Sequence, residues 1–183
     1  MKTVFQFSLL LICAIGVLGC AETKPFSMMY TTQSLPRGKA AVNAGTFAYT
    51  PANRKVAQDQ IENTAVTAIH IDSNISDYVK RAFMQELDRS GYFSTTPAIL
   101  INCQITRFKC DDLGYSVDWY LDLTCHFVDA ASQKELATET VNIQKKHMQK
   151  FGGIENFQRA MNNVIYEAYD EVISAPKVQS LLK

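Results

Sequence analysis

Residues 109–119, KCDDLGYSVDW, gather Asp111, Asp112 and Asp118 beside Tyr115 and Trp119, with Tyr120 following directly. Three carboxylates and three aromatics on so short a stretch suit acidic-aromatic recognition of a partner, since loops at the end of a rigid hairpin often carry binding. Calcium is a poor fit, because an EF-hand-like loop needs oxygen ligands at alternating positions and a closing Glu, which are missing. Asp-Asp-Leu-Gly is also ordinary turn chemistry, with Gly114 available for positive φ. Catalytic signatures are missing: the chain has no G-x-S-x-G, H-E-x-x-H, P-loop or G-x-G-x-x-G pattern, and Glu167, Asp170 and Glu171 fall on the polar side of a helical pattern. The sequence therefore predicts a protein that is not an enzyme. His70, His126 and His147 lie far apart and no Cys/His cluster has zinc spacing, so neither a metal nor a cofactor is expected.

Cysteine is the other reactive residue type. Beyond Cys20 the chain carries Cys103, Cys110 and Cys125, and in an oxidising compartment three thiols allow one pair and one left over. On ILINCQITRFKC, strict alternation puts Ile99, Ile101, Cys103 and Ile105 on one face. On VDWYLDLTCHF it does the same for Val117, Trp119, Leu121, Leu123, Cys125 and Phe127. If these are the arms of one hairpin closing near Gly114, Cys103 faces Cys125 on its buried side; two separate core thiols satisfy the pattern equally well. The opposite face then carries Asn102, Gln104, Thr106 and Phe108 with Asp118, Tyr120, Asp122, Thr124 and His126. That is a solvated surface in which Phe108 and Tyr120 leave room for a partner.

The N-terminus sets where this chemistry is displayed. Lys2 is followed by an uncharged, mostly apolar run from Val4 to Leu18, shorter than the roughly 18 to 20 residues a spanning helix needs, and it ends at Gly19-Cys20 without a basic stop-transfer cluster. This is a signal-peptide pattern over residues 1–19. Val17-Leu18-Gly19-Cys20 resembles a bacterial lipobox, which implies a diacylglyceryl thioether on Cys20 and an N-acyl chain after cleavage, enough for stable anchoring. Ala21 stands where an Asp would favour retention at the inner membrane, so the resemblance implies the outer membrane. From Cys20 on, the chain carries 17 basic and 18 acidic side chains with no basic block, which gives nucleic-acid binding no support.

The positioning elements follow in order. Residues 20–41, with Lys24-Pro25, Thr31-Thr32-Gln33-Ser34 and Pro36-Arg37-Gly38, predict a lipidated N-terminus and flexible tether. Residues 42–183 then form a single domain. AGTFAY (44–49) and AVTAIHI (65–71) are candidate strands. Ile75, Val79, Ala82, Phe83 and Leu87 recur at helical spacing until Ser90-Gly91, with Asn74 or Ser76 as cap. The hairpin, a strand around ELATETVNI, and a second helix marked by Phe157, Met161, Val164, Ile165, Ala168 and Val172 complete the domain, with KVQSLLK adding a further turn. The economical arrangement is an α+β two-layer sandwich, two amphipathic helices on one face of a mainly antiparallel sheet of about four strands.

With its lipobox, polar tether, helix YVKRAFMQELDRSGYF leading into ILINCQITRF, hairpin WYLDLTCHFVDAASQKELATET and closing amphipathic helix, the chain resembles the small outer-membrane lipoproteins of the YajG type over residues 42–175. More loosely it resembles the auxiliary lipoproteins of ABC-type transport systems and the lipopolysaccharide-assembly lipoprotein LptE. It departs from the YajG pattern in a longer segment through the 50s to 70s and in CDDLGYSVDW. The resemblance implies two helices on a sheet and a role as a lipid-anchored, periplasm-facing accessory or interaction subunit with a protein partner in the envelope. The alternative is a carrier or chaperone for a lipid or other apolar ligand, which requires a cavity lined by residues such as Phe83, Leu123, Phe157 and Ile165.

Overall fold

The computed structural model describes residues 25–54, 56–64, 68–149 and 153–183. The leader, Cys20, residues 21–24 and part of the expected strand 65–71 lie outside them. Strand β1 spans Val42–Tyr49, β2 Gln60–Asn63 and β3 Ile69–His70; helix α1 spans Ile75–Ser90; β4 covers Ile99–Asp111, β5 Ser116–Asp129 and β6 Glu135–Gln149; helices α2 (Gly153–Ser174) and α3 (Pro176–Leu181) close the chain. Among the described residues no helix is long and apolar enough to cross a membrane.

The α+β class holds, but the sheet has six strands and is mixed, against the four mainly antiparallel strands expected. β4, β5 and β6 form an antiparallel meander. The other edge of β4 is divided lengthwise: β1 pairs with its first half, Val42↔Ile99 through Tyr49↔Ile105, and β2 with its second, Glu62↔Lys109 and Asn63↔Cys110, both in parallel. Parallel pairing follows from the connection, since α1 lies between these strands and β4 and supplies the crossover that a parallel pair requires.

Both long helices pack on one face of the sheet, α1 against β1 and α2 against β5 and β6, and they touch each other. Phe83 of α1 sits between Phe47 of β1 and Tyr169 of α2, with ring centroids 5.3 and 5.4 Å away and edge-on geometry. Along β5 the alternation survives intact, so Trp119, Leu121, Leu123, Cys125 and Phe127 all face the helices and are buried.

Along β4 it does not. Ile105 pairs with Leu123 and Arg107 with Asp122, so Thr106 is an extra residue on that strand. This bulge reverses the facing of everything after it. Phe108, expected on the solvated face, is fully buried beside Trp119, and Arg107 points outward in its place.

The expected flexible tether is also corrected for residues 25–40. These form an extended strap in the groove between α1 and α2, on the side away from the sheet. Phe26 pairs with Ile71, Arg37 and Gly38 donate their amides to the Ser90 carbonyl, and Met28 and Ser34 are buried. The strap passes so close to the end of α1 that a Cβ on Gly91 would lie 2.5 Å from the Gly38 carbonyl oxygen, and Gly91 itself holds φ +83° to end the helix.

Candidate functional site

Three places in the fold could do more than pack: the β4–β5 tip, the outer face of the sheet, and the strap with its groove. The tip holds most of the residues singled out from sequence. Asp111 and Asp118 face each other across the last register pair of β4 and β5, an arrangement that would be repulsive if both carboxylates were left bare. Each has its own donors. Asp111 accepts the Thr64 hydroxyl at 2.7 Å and the Leu113 amide at 3.3 Å, and these bonds, the Thr64 one foremost, hold its carboxyl below the usual range. Asp118 accepts the His147 amide at 2.8 Å. His147 carries φ +58° where β6 bulges opposite Val117 and Trp119. Tyr115 stands in solvent, whereas Trp119 does not belong to the tip surface: it is buried, edge-on to Phe157 at 4.8 Å. Among the described residues no three His, Cys, Asp or Glu side chains come together to hold a metal ion.

The outer face is organised around the residue the bulge turned outward. Arg107 pairs with Asp122, Nε to Oδ2 at 2.8 Å and Nη2 to Oδ1 at 3.0 Å, and its guanidinium lies 4.6 Å from the centre of the Tyr120 ring. Planar pairing and stacking together fix all three side chains. Further along, Thr124 bonds Thr140, and His126 Nδ1 meets Glu135 at 2.7 Å and Thr138 at 3.0 Å. Asn102 reaches sideways from β4 to accept the Thr46 amide at 2.7 Å where β1 bulges. On the opposite, helix-covered face Cys103 and Cys125, directly paired in register, are joined by a disulfide, while Cys110 is a buried free thiol. Burial, with the Asp112 charge second, pushes that thiol up to about 12.

The strap is held by polar groups that helical periodicity assigns to the apolar faces. Glu86 of α1 is fully buried and accepts three hydrogen bonds from the strap: the Tyr30 hydroxyl at 2.6 Å and the amides of Gln33 and Ser34, each at 2.9 Å. Burial, followed by this bond to Glu86, raises the Tyr30 hydroxyl far above its ordinary range. Asn162 of α2 spends both ends of its amide, accepting from Tyr78 at 2.8 Å and donating to the Met29 carbonyl at 3.0 Å, which also accepts from Gln158 at 2.7 Å. Arg37 pairs with Asp170 and bonds Ser174. The signal for Glu86 and Asn162 was present in the sequence as polar residues inside apolar helical stripes. Their partners were not, because the strap has no periodicity.

A cleft of about 380 Å³ lies between Thr31 and Gln33 of the strap and Gln158, Arg159 and Asn163 of α2. It is open to the surface and is lined by the stems and heads of polar side chains. The residues that would line an apolar ligand space between helices and sheet are packed instead: Phe83, Leu123 and Ile165 are fully buried, and Phe157 meets Trp119 edge-on.

No sequence-family model matches the chain, and no curated protein matches it in sequence. Its fold is similar to that of protein XCC0632 from Xanthomonas campestris, of family DUF330, at 10% identity with a TM-score of 0.65, covering 86% of this chain and 96% of that one. An uncharacterised protein matches at 9% identity and a TM-score of 0.56, over 86% of this chain and 99% of its own. The hypothetical protein CT253 from Chlamydia trachomatis matches at 9% identity and a TM-score of 0.50, over 76% and 96%. At these identities the likeness is one of fold.

Proposed function

We propose that the chain is a bacterial outer-membrane lipoprotein, fastened through Cys20 with its domain on the periplasmic face, and that it serves as a non-catalytic accessory subunit of an envelope transport or assembly system. The observation that carries this reading is the uncharged apolar leader ending in Val17-Leu18-Gly19-Cys20. The buried Cys103–Cys125 disulfide agrees with an oxidising compartment. For the interaction half, the outer sheet face supports docking of a protein partner: Arg107, Asp122 and Tyr120 hold one another in place, so little side-chain freedom is lost on association. The filled core, in which Phe83, Leu123 and Ile165 are fully buried, speaks against the carrier alternative.

Intact-mass measurement on the membrane fraction of cells making wild type and Cys20→Ala tests the anchor. The expected result is a mature chain starting at Cys20 with added acyl mass, lost in the variant; an unmodified soluble wild-type chain refutes it. Site-specific photo-crosslinking from position 104 on the outer face tests the partner. Adducts with one transport or assembly subunit support the reading, and no adduct beyond background refutes the use of this face.

A further inference from the structure

We infer that the domain stands end-on against the phospholipid surface, with the β4–β5 tip and the start of the strap as its lipid-facing end; the inference rests on the lipid anchor at Cys20. The strap is docked from Phe26 onward, through the Phe26 amide to the His70 carbonyl at 2.9 Å and the Asp72 amide to the Phe26 carbonyl at 2.9 Å. Only five residues separate Cys20 from Phe26, and the six residue steps at full extension reach at most about 20 Å. An anchor at Cys20 therefore holds this end of the domain, and no other, next to the bilayer.

The composition of that end fits its position. Among the described residues seven large hydrophobic side chains are exposed, and five of them gather here: Phe26 at 44%, Met29 at 72%, Leu113 at 71%, Tyr115 at 93% and Ile154 at 41%. Their placement follows from the fold. The meander turns at residues 112–115, α2 starts where β6 has come back opposite Ser116, and Phe157 links Phe26 to Trp119 through ring contacts of 6.2 and 4.8 Å. Single exposed apolar residues are ordinary on a soluble surface, but their concentration at one end marks a contact surface. Tyr115 brings an apolar ring with a polar tip, the side-chain type that sits at the level of lipid headgroups. The Asp111 carboxylate is bonded at this same end by the Thr64 hydroxyl and the Leu113 amide, bonds that favour its charged form and so set the contact at the level of the polar headgroups. Burying these side chains adds to the acyl chains by the same area-proportional effect.

The test uses the full acylated protein reconstituted in phosphatidylcholine vesicles containing headgroup-spin-labelled lipid, with a fluorophore on Tyr115→Cys or, at the opposite end beside the β5–β6 turn, on Leu136→Cys. Cys110 is buried and stays unlabelled. Because a 14-residue strand separates the two ends by about 45 Å, quenching at position 115 should exceed that at 136 by at least about threefold. It should persist when a flexible insert of about eight residues follows Ala21, since the apolar end itself holds the surface. Equal quenching at both ends overturns the inference, and so does loss of tip quenching with the longer tether. Intact mass taken on the same samples separates the two claims: unacylated Cys20 removes the anchor and the inference with it, whereas acylated protein with an unquenched tip removes the inference alone.

Discussion

Between Ile99 and Gln149 three strands of 13, 14 and 15 residues are held by continuous backbone ladders, a buried disulfide and a full layer of helix. Residues 25–40 lie across the same helices on the other side, held chiefly by the Glu86 carboxylate, by Asn162 and Gln158 on the Met29 carbonyl, by the Ser90 carbonyl and by the Arg37–Asp170 pair. In the meander stability is spread over many equivalent contacts, and losing any one is absorbed by its neighbours. In the strap it is concentrated, since a few buried or half-buried polar groups, Glu86 foremost, each carry several of its bonds at once. The two regions should therefore fail differently.

Cys103→Ala with Cys125→Ala tests the distributed case. Opening a link between residues 22 apart should cost about 3 kcal/mol in global unfolding, with one cooperative transition retained. Urea titration checks both parts of that statement, and a two-step transition would contradict it. Glu86→Gln tests the concentrated case. The amide presents a donor group where the strap already offers three donors, at a cost of about 2 kcal/mol. Its signature is local: limited proteolysis should cut within 25–40 before the sheet unfolds, whereas the cysteine variant should show no such cut.

Gly91→Ala strikes the point where strap and helix end meet. Positive φ and the Gly38 carbonyl together should cost about 1 to 2 kcal/mol and loosen the strap near Arg37, read as faster amide exchange there. A smaller effect is expected in the β5–β6 turn. Asp129 accepts the Ser132 amide and hydroxyl and the Ala131 amide, which hold its carboxyl below the ordinary range. A depressed folded-state value contributes stability above the free carboxylate's pKa of about 4 and loses it as pH falls through the depressed value. Wild type should thus lose melting temperature on acidification more steeply than Asp129→Asn, and parallel curves would deny the turn this role. Cys110 gives a readout with no perturbation at all: its thiol should stay silent to disulfide reagents at pH 8 in the folded protein and react in step with global unfolding.

What the sequence disclosed divides along the same line. The inward row Trp119 to Phe127 and the stripes of α1 and α2 were legible, because burial of repeating apolar positions is a local rule that each residue obeys independently. Alternation misplaced Phe108 because one extra residue reverses all that follows, although Thr106-Arg107, two polar residues in succession before Phe108-Lys109-Cys110, is the trace such a bulge leaves. β2 is four residues long with a charge inside it, too short to show a period, and the parallel pairing of β1 depends on a connection that no window reveals. At the tip, Asp111, Asp112 and Tyr115 do lie together, but Trp119 obeys the β5 alternation and faces the helices. The strap was read as a tether because its partners stand far away in the chain, Glu86 at 52 residues from Ser34 and Asn163 at 130 from Gln33.

Those separations also fix an order of events. The groove that receives the strap has α2 as one wall, so residues 25–40 cannot seat until the last long helix has been made and has packed. Contacts of such sequence separation form late, after shorter loops have closed. On the proposed lipoprotein reading, the strap is thus drawn against the domain only when the rest of the molecule is complete, which leaves the time before that for trimming and acylation at Cys20.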